Sequence, residues 1–283
     1  MKVRFPSQAG AFYARSKETL KKQVEDCFLH RFGPKEIPSV NENGPRKIVS
    51  LMCPHAGYAY SGPVAANAYF QMAKDGKIDS AIILGPNHTG IGSGISIMTE
   101  GVWRMPLNDV EIDFELARKI QHASKYIDVD DTAHSREHSI EVQLPFLQYI
   151  YGKSFRFVPI CMMMQDLESS RDVGEAIVES ISGRNVITIA STDLTHYESE
   201  KVANSKDRMA INTVLELDDE KLQSVVESSN ITMCGYGPAS VAIYVAKKLG
   251  AEKTSLLSYK TSGDITGDFS SVVGYAAIAI AKE

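Results

Sequence analysis

Cys53-Pro-His55-Ala-Gly-Tyr-Ala-Tyr-Ser-Gly62 and Ala81-Ile-Ile-Leu-Gly-Pro-Asn-His88-Thr-Gly90 share one local plan. An apolar run of strand length leads in, Ile48 to Met52 in the first case and Ala81 to Leu84 in the second. Pro or Gly then punctuates the chain, and one histidine stands where the strand stops. Ligands of open α/β sheets bind beyond the carboxyl ends of the strands, where the loops fan out. Two histidines delivered there can converge on one point, and a metal ion is the expected occupant.

The pattern outward from these stretches alternates strands and helices. Residues 1–14 read as an ordered arm, 16–31 as a helix and 34–46 as a loop. Strands are expected at 47–53, 79–84, 94–103, 126–129, 155–161 and 185–190, with a helix opening at Ser61-Gly-Pro63 because proline suits a first turn. Helices are expected at 113–125, 138–151, 167–181, 200–216, 218–228 and 238–249. Pro145 must kink the helix at 138–151 or mark its first turn. Two closing strands, 253–261 and 271–281, suggest an antiparallel pair at a sheet edge. The reading is a single α/β domain over residues 1–283, with a central mixed, largely parallel sheet flanked by helices.

Composition narrows the function classes. The chain has 283 residues, 43% hydrophobic and 23% charged, which suits a globular protein with a full core. A net charge of −5 argues against nucleic acid and anionic membranes, both of which reward a basic face. No apolar run approaches the roughly 20 residues of a membrane helix, and Met1-Lys-Val-Arg-Phe-Pro6 does not resemble a signal peptide. Cys27, Cys53, Cys161 and Cys234 are too widely spaced for a disulfide framework. A cytoplasmic protein with reduced thiols is expected.

A third polar cluster, Ser191-Thr-Asp193-Leu-Thr-His196-Tyr197, follows the strand at 185–190. Recurrence of the strand-then-histidine plan sets His55, His88 and His196 apart from His30, His122 and His134, which read as ordinary surface or core residues. His138, beside Glu141, opens the helical stretch at 138–151. Asp193 with His196, and Glu141 with His138, can each supply a carboxylate that fixes an imidazole tautomer for acid/base work. Asp193 reads equally as a loop hydrogen-bond acceptor, and Glu141 equally as a helix surface charge. Cys234 lies in Met233-Cys234-Gly-Tyr-Gly-Pro238, a glycine-rich turn opening a helix. It reads equally as a metal ligand near a helix N-terminus and as a small hydrophobe. Histidine with thiolate favours iron, copper or zinc over magnesium or calcium, and three protein ligands leave positions open for a ligand.

Several ordered motifs resemble the Memo family (mediator of ErbB2-driven cell motility). They are Ala9-Gly-Ala-Phe-Tyr13, Pro54-His-Ala-Gly-Tyr58 through Gly62, Ile83-Leu-Gly-Pro-Asn-His88, Glu137-His-Ser-Ile-Glu141 with Leu144-Pro145, Ser191 to His196, and Cys234-Gly. That family is similar in fold to the class III extradiol ring-cleaving dioxygenases, which use non-haem iron. The resemblance implies a metal held by His55, His88 and Cys234, with Asp193, His196, His138 and Glu141 lining the same cleft. In the dioxygenases the third ligand is a carboxylate, whereas the matching position here is Cys234. The leading reading is a metal-dependent, dioxygenase-like oxidoreductase using iron, or copper, on a small molecule. The alternatives are a non-catalytic metal- or phosphopeptide-binding module and a zinc-type hydrolase. The resemblance also implies an AMMECR1-type or radical-SAM protein partner.

Overall fold

The computed structural model describes residues 2–283. In chain order the elements are β1 (Val3–Arg4), α1 (Lys17–Leu29), β2 (Ile48–Cys53), α2 (Gly62–Asp75), β3 (Ser80–Pro86), β4 (Ile95–Ile97), β5 (Val102–Arg104), β6 (Asp109–Glu111), α3 (Phe114–Ala123) and β7 (Ile127–Val129). A 3-10 turn (Glu141–Gln143) leads into α4 (Leu144–Tyr151), β8 (Arg156–Met162), α5 (Leu167–Ser180), β9 (Val186–Ser191) and β10 (His196–Glu198). The chain closes with α6 (Glu200–Leu215), α7 (Asp219–Ser228), α8 (Tyr236–Lys248), β11 (Lys253–Thr261), α9 (Gly263–Thr266) and β12 (Val272–Ala281).

β2, β3 and β9 are buried along their whole length, which is why they read as continuous apolar runs rather than alternating ones. They lie at the centre of a nine-stranded sheet of order β10-β12-β2-β9-β3-β8-β4-β7, with β11 paired to β12. β2, β9, β3 and β8 are mutually parallel, while β12 joins β2 and β4 joins β8 antiparallel. The closing strands β11 and β12 form the expected antiparallel pair. Helices cover both faces. α2 packs on β2 and β12 above one core that includes Leu51, Tyr69 and Phe146. α8 packs on β9 and β2 over a second core with Met52, Ala190 and Ile243. The result is one α/β domain whose mixed sheet agrees with the expected class III extradiol dioxygenase-like architecture.

Two local expectations are corrected. The single strand read over 94–103 is two strands in different sheets, because β4 joins the main sheet whereas β5 pairs with β1 and β6. Gly101 makes the break. Its φ of +113° is closed to most side chains, and a Cβ there would meet the Lys2 carbonyl at 2.7 Å. The helix read from His138 begins only at Leu144, with Pro145 in its first turn. Residues 138–140 instead form a turn held by Glu137, whose Oε1 accepts the N–H groups of His138 and Ser139, each at 2.9 Å.

Candidate metal centre

The parallel core strands end side by side, with Cys53 of β2 in register with Ser191 of β9. The chain leaves β2 through Pro54 to His55, leaves β3 through Asn87 to His88, and leaves β9 through Thr192 to Asp193. Imidazole nitrogens of His55, His88 and His138 all lie within 4.8 Å of one another. The rings of His55 and His88 are edge to face at 5.1 Å, and His138 stacks on His88 at 4.4 Å. The Sγ of Cys234 approaches from the turn before α8 and lies 3.2 Å from Nε2 of His55.

Each of these groups is held by a different partner. His55, 2% exposed, has its Nδ1 2.9 Å from the Ser191 hydroxyl, and its N–H donates to Asp193 Oδ1 at 2.8 Å. His88 is gripped twice by Glu137, backbone N–H to Oε2 at 2.6 Å and Nδ1 to Oε1 at 2.9 Å. Burial works to raise the Glu137 carboxyl, but hydrogen bonds from His88 and Ser139 and the neighbouring His138 outweigh it and hold it well below the usual range. An ionised Glu137 only accepts, so Nδ1 of His88 carries a proton, and Nε2 is the bare nitrogen when the ring is neutral.

Burial, followed by the neighbouring imidazoles His138 and His88, pushes the His55 pKa well down. Burial likewise brings His138 to about 4, against the pull of Glu137. Both rings are therefore neutral at neutral pH, with lone pairs free to ligate or accept a proton. Burial and then Asp193 push the Cys234 thiol up, so it keeps its proton at neutral pH. The Asp193 N–H points at that sulfur from 3.2 Å. Gly235 permits the approach, since a Cβ there would lie 2.6 Å from the Ser191 carbonyl.

Asp193 is buried and raised by burial to about 6, while the His55 N–H and the rings of His196 and His88 act the other way. His196 stands at the cleft edge. Its Nδ1 lies 2.8 Å from the Thr232 carbonyl, which can only accept, so its Nε2 is unprotonated when the ring is neutral. Glu141 acts on His138 only through its charge and spends its hydrogen bonds elsewhere. Its carboxylate takes Arg4, the N–H groups of Ser7 and Gln8, and the Tyr13 hydroxyl, fastening the N-terminal arm beneath the cleft. The carboxylate beside His138 is Glu137, 3.3 Å from its Nδ1. Phe12 of the same arm lies against the His138 ring at 4.6 Å, and a hollow of about 220 Å³ between Phe12, Tyr13, Gly57 and Tyr60 opens alongside. A larger hollow, about 670 Å³, is lined by Asp79, Asp113, Arg156 and Arg184 at the amino ends of β3 and β8, away from the histidines.

The resemblance brings the Glu137–Glu141 stretch to the cleft without giving Glu137 a role, and Ser191 and Gln143 were passed over as site residues. Glu137 directly precedes His138 and was readable as its partner, whereas nothing local marks Ser191 or Gln143.

A parallel-cored α/β sheet with histidines gathered over its strand ends defines a class of protein built around a polar cleft at the carboxyl edge of the sheet. The chain belongs to the Memo family, since the Memo-like protein profile matches residues 4–279. It is similar to the MEMO1 family protein of Methanopyrus kandleri, at 50% identity over 99% of both chains. It is also similar to those of Methanocaldococcus jannaschii, at 46% over 99% of both, and Sulfolobus acidocaldarius, at 46% over 98% of both. A solved structure of an uncharacterized protein from Escherichia coli K12 shares the fold at a TM-score of 0.51 and 11% identity, covering 83% of this chain and 100% of that one. No helix among the described residues is long and apolar enough to cross a membrane.

Proposed function

We propose that this protein holds a metal ion through His55, His88 and Cys234 and acts as a metal-dependent oxidoreductase on a small molecule seated over it. The supporting observation is the gathering of His55, His88 and His138, whose imidazole nitrogens lie within 4.8 Å of one another, with the Cys234 sulfur 3.2 Å from that of His55. Ligand atoms bound to one ion at roughly 2.0–2.3 Å lie about 3–4 Å apart, a spacing that the Cys234–His55 pair already has; for the thiol to join His88 on one ion, it would have to close on that ring as the metal binds. Neutral imidazoles with a sulfur suit iron, copper or zinc. When bound, iron or copper supplies electron transfer and open coordination positions.

The remaining side chains bind, orient and move protons. His138, neutral and stacked on His88, accepts a proton from a substrate hydroxyl over the cleft. Asp193 orients the His55 backbone and presents a carboxylate toward His196, which serves as the second proton carrier. Glu141 acts at one remove, fastening the arm that sets Phe12 against His138.

Protein purified without oxygen is expected to carry close to one iron or copper per chain by elemental analysis, and Cys234→Ser to lose most of it. Oxygen uptake with a panel of catechol-like compounds tests the redox role. Metal-free wild-type protein that binds neither ion on reconstitution overturns the reading. The clustering of three imidazoles favours a second ligand set, His55, His88 and His138, with the thiol outside it. Full metal content in Cys234→Ser together with loss in His138→Gln selects that set. Zinc as the ion in freshly purified protein favours a hydrolase.

A further inference from the structure

We infer that Ser191 is a positioning residue that holds His55 in its Nδ1–H tautomer, so that the Nε2 lone pair faces Cys234 and the cleft. Its purpose rests on the metal-binding role proposed above; the tautomer itself does not. Ser191 Oγ has three neighbours, the Ser139 carbonyl at 2.6 Å, Gln143 Nε2 at 2.7 Å and His55 Nδ1 at 2.9 Å. Ser191, Gln143 and His55 are 0%, 1% and 2% exposed, so bulk water does not compete for these contacts.

The hydrogen positions follow by elimination. Two oxygens 2.6 Å apart need a hydrogen between them, and a carbonyl brings none, so the Ser191 hydroxyl donates to Ser139. The Gln143 amide cannot turn over, because its nitrogen also lies 3.0 Å from the Pro54 carbonyl while its oxygen accepts the Tyr69 hydroxyl at 2.6 Å. Gln143 therefore donates to Ser191 as well. With its single hydrogen committed to Ser139, Ser191 can only accept from His55, and Nδ1 of that ring must carry the proton. This places a neutral hydroxyl behind His55 where Glu137 stands behind His88, so the two imidazoles present equivalent nitrogens through partners of different charge.

The test is long-range 1H–15N correlation NMR on metal-free, 15N-labelled protein at neutral pH. Wild type is expected to show His55 protonated at Nδ1 and bare at Nε2; the reverse pattern overturns the inference whatever the variants do. Ser191→Ala should move His55 toward the Nε2–H form and weaken zinc(II) binding about tenfold, and Ser191→Thr, which keeps the hydroxyl, should restore the wild-type pattern. An unchanged His55 pattern in Ser191→Ala overturns the role given to Ser191. A wild-type protein with the expected tautomer that fails to bind zinc(II), iron(II) or copper(II) sinks the metal-binding role and leaves this inference standing.

Discussion

Glu137 grips His88 at two points, the backbone N–H through Oε2 and the ring Nδ1 through Oε1, across 49 residues of chain. One carboxylate thus sets both the path of the loop after β3 and the direction of its imidazole. The same carboxylate caps the turn that carries His138, so two of the three clustered histidines depend on it.

Glu137→Gln should consequently weaken metal binding more than it weakens the fold. Loss of a carboxylate behind a ligating histidine typically costs 10–100-fold in affinity. Competition titration with a chromophoric chelator reads this directly, and wild-type affinity in the variant would show that Glu137 does not orient a ligand.

Arg4 and Glu141 form a buried ion pair that ties the arm to the 3-10 turn before α4, with Arg4 also lying over Trp103 at 4.0 Å. Glu141→Ala leaves Arg4 without its counter-charge, though still bonded to the His134 and Glu137 carbonyls, and takes the acceptor from the Tyr13 hydroxyl and two backbone N–H groups. Stranding one member of a buried pair costs about 3–5 kcal/mol. Urea unfolding should show a loss of that size, with Arg4→Ala comparable; a change under 1 kcal/mol in both would mean that water replaces the contact.

His134 predicts an acid limb in the stability curve. It is fully buried beside Trp103, and neither ring nitrogen makes a hydrogen bond of normal geometry. Burial, then the Arg4 charge, brings its pKa to about 4, although the Ser96 backbone favours the charged form. An unfolded histidine titrates near 6.5, so between about 6.5 and 4 the unfolded chain binds the extra proton. Stability therefore rises with pH through that window and is complete above it, by on the order of 3 kcal/mol for this group. Chemical unfolding of metal-free protein at pH 5 and pH 7.5 measures the difference, and His134→Phe should shrink it. An equally steep limb in the variant would place the acid sensitivity elsewhere.

Asp113 adds to the same limb lower down. Burial opposes ionisation, but Arg184, the Ser80 hydroxyl and the Leu116 N–H overcome it and depress the pKa. A depressed carboxylate stabilises the fold above its unfolded pKa near 4, and that contribution disappears as pH falls further. Arg184→Ala removes a cause of that depression, so it should lower the unfolding midpoint at pH 7 and flatten the loss of stability below pH 5.

Gly235→Ala tests the placement of Cys234. A Cβ at this position would press on the Ser191 carbonyl at 2.6 Å and Thr192 Cβ at 2.7 Å. Backbone must shift, at about 1–3 kcal/mol for an overpacked site, and the thiol moves with it. Lowered thermal stability together with reduced metal uptake is expected; unchanged uptake would remove Cys234 from the ligand set.

The sequence by itself determined the alternation of strands and helices and the delivery of His55 and His88 to strand ends. Those features rest on apolar runs and on Gly and Pro, whose effects reach only a few residues along the chain. The same short reach explains the failures. Gly101 splits a run that still looks apolar, and Glu137 turns the expected start of a helix into a tight turn. Tertiary structure alone decided which partner each polar side chain takes: Glu141 for Arg4 rather than His138, Ser191 for His55, Cys234 against Nε2. A buried donor or acceptor pairs with whatever packing brings within about 3 Å. When that neighbour lies 179, 49 or 137 residues away, as for Cys234, His88 and Arg4, no local pattern names it.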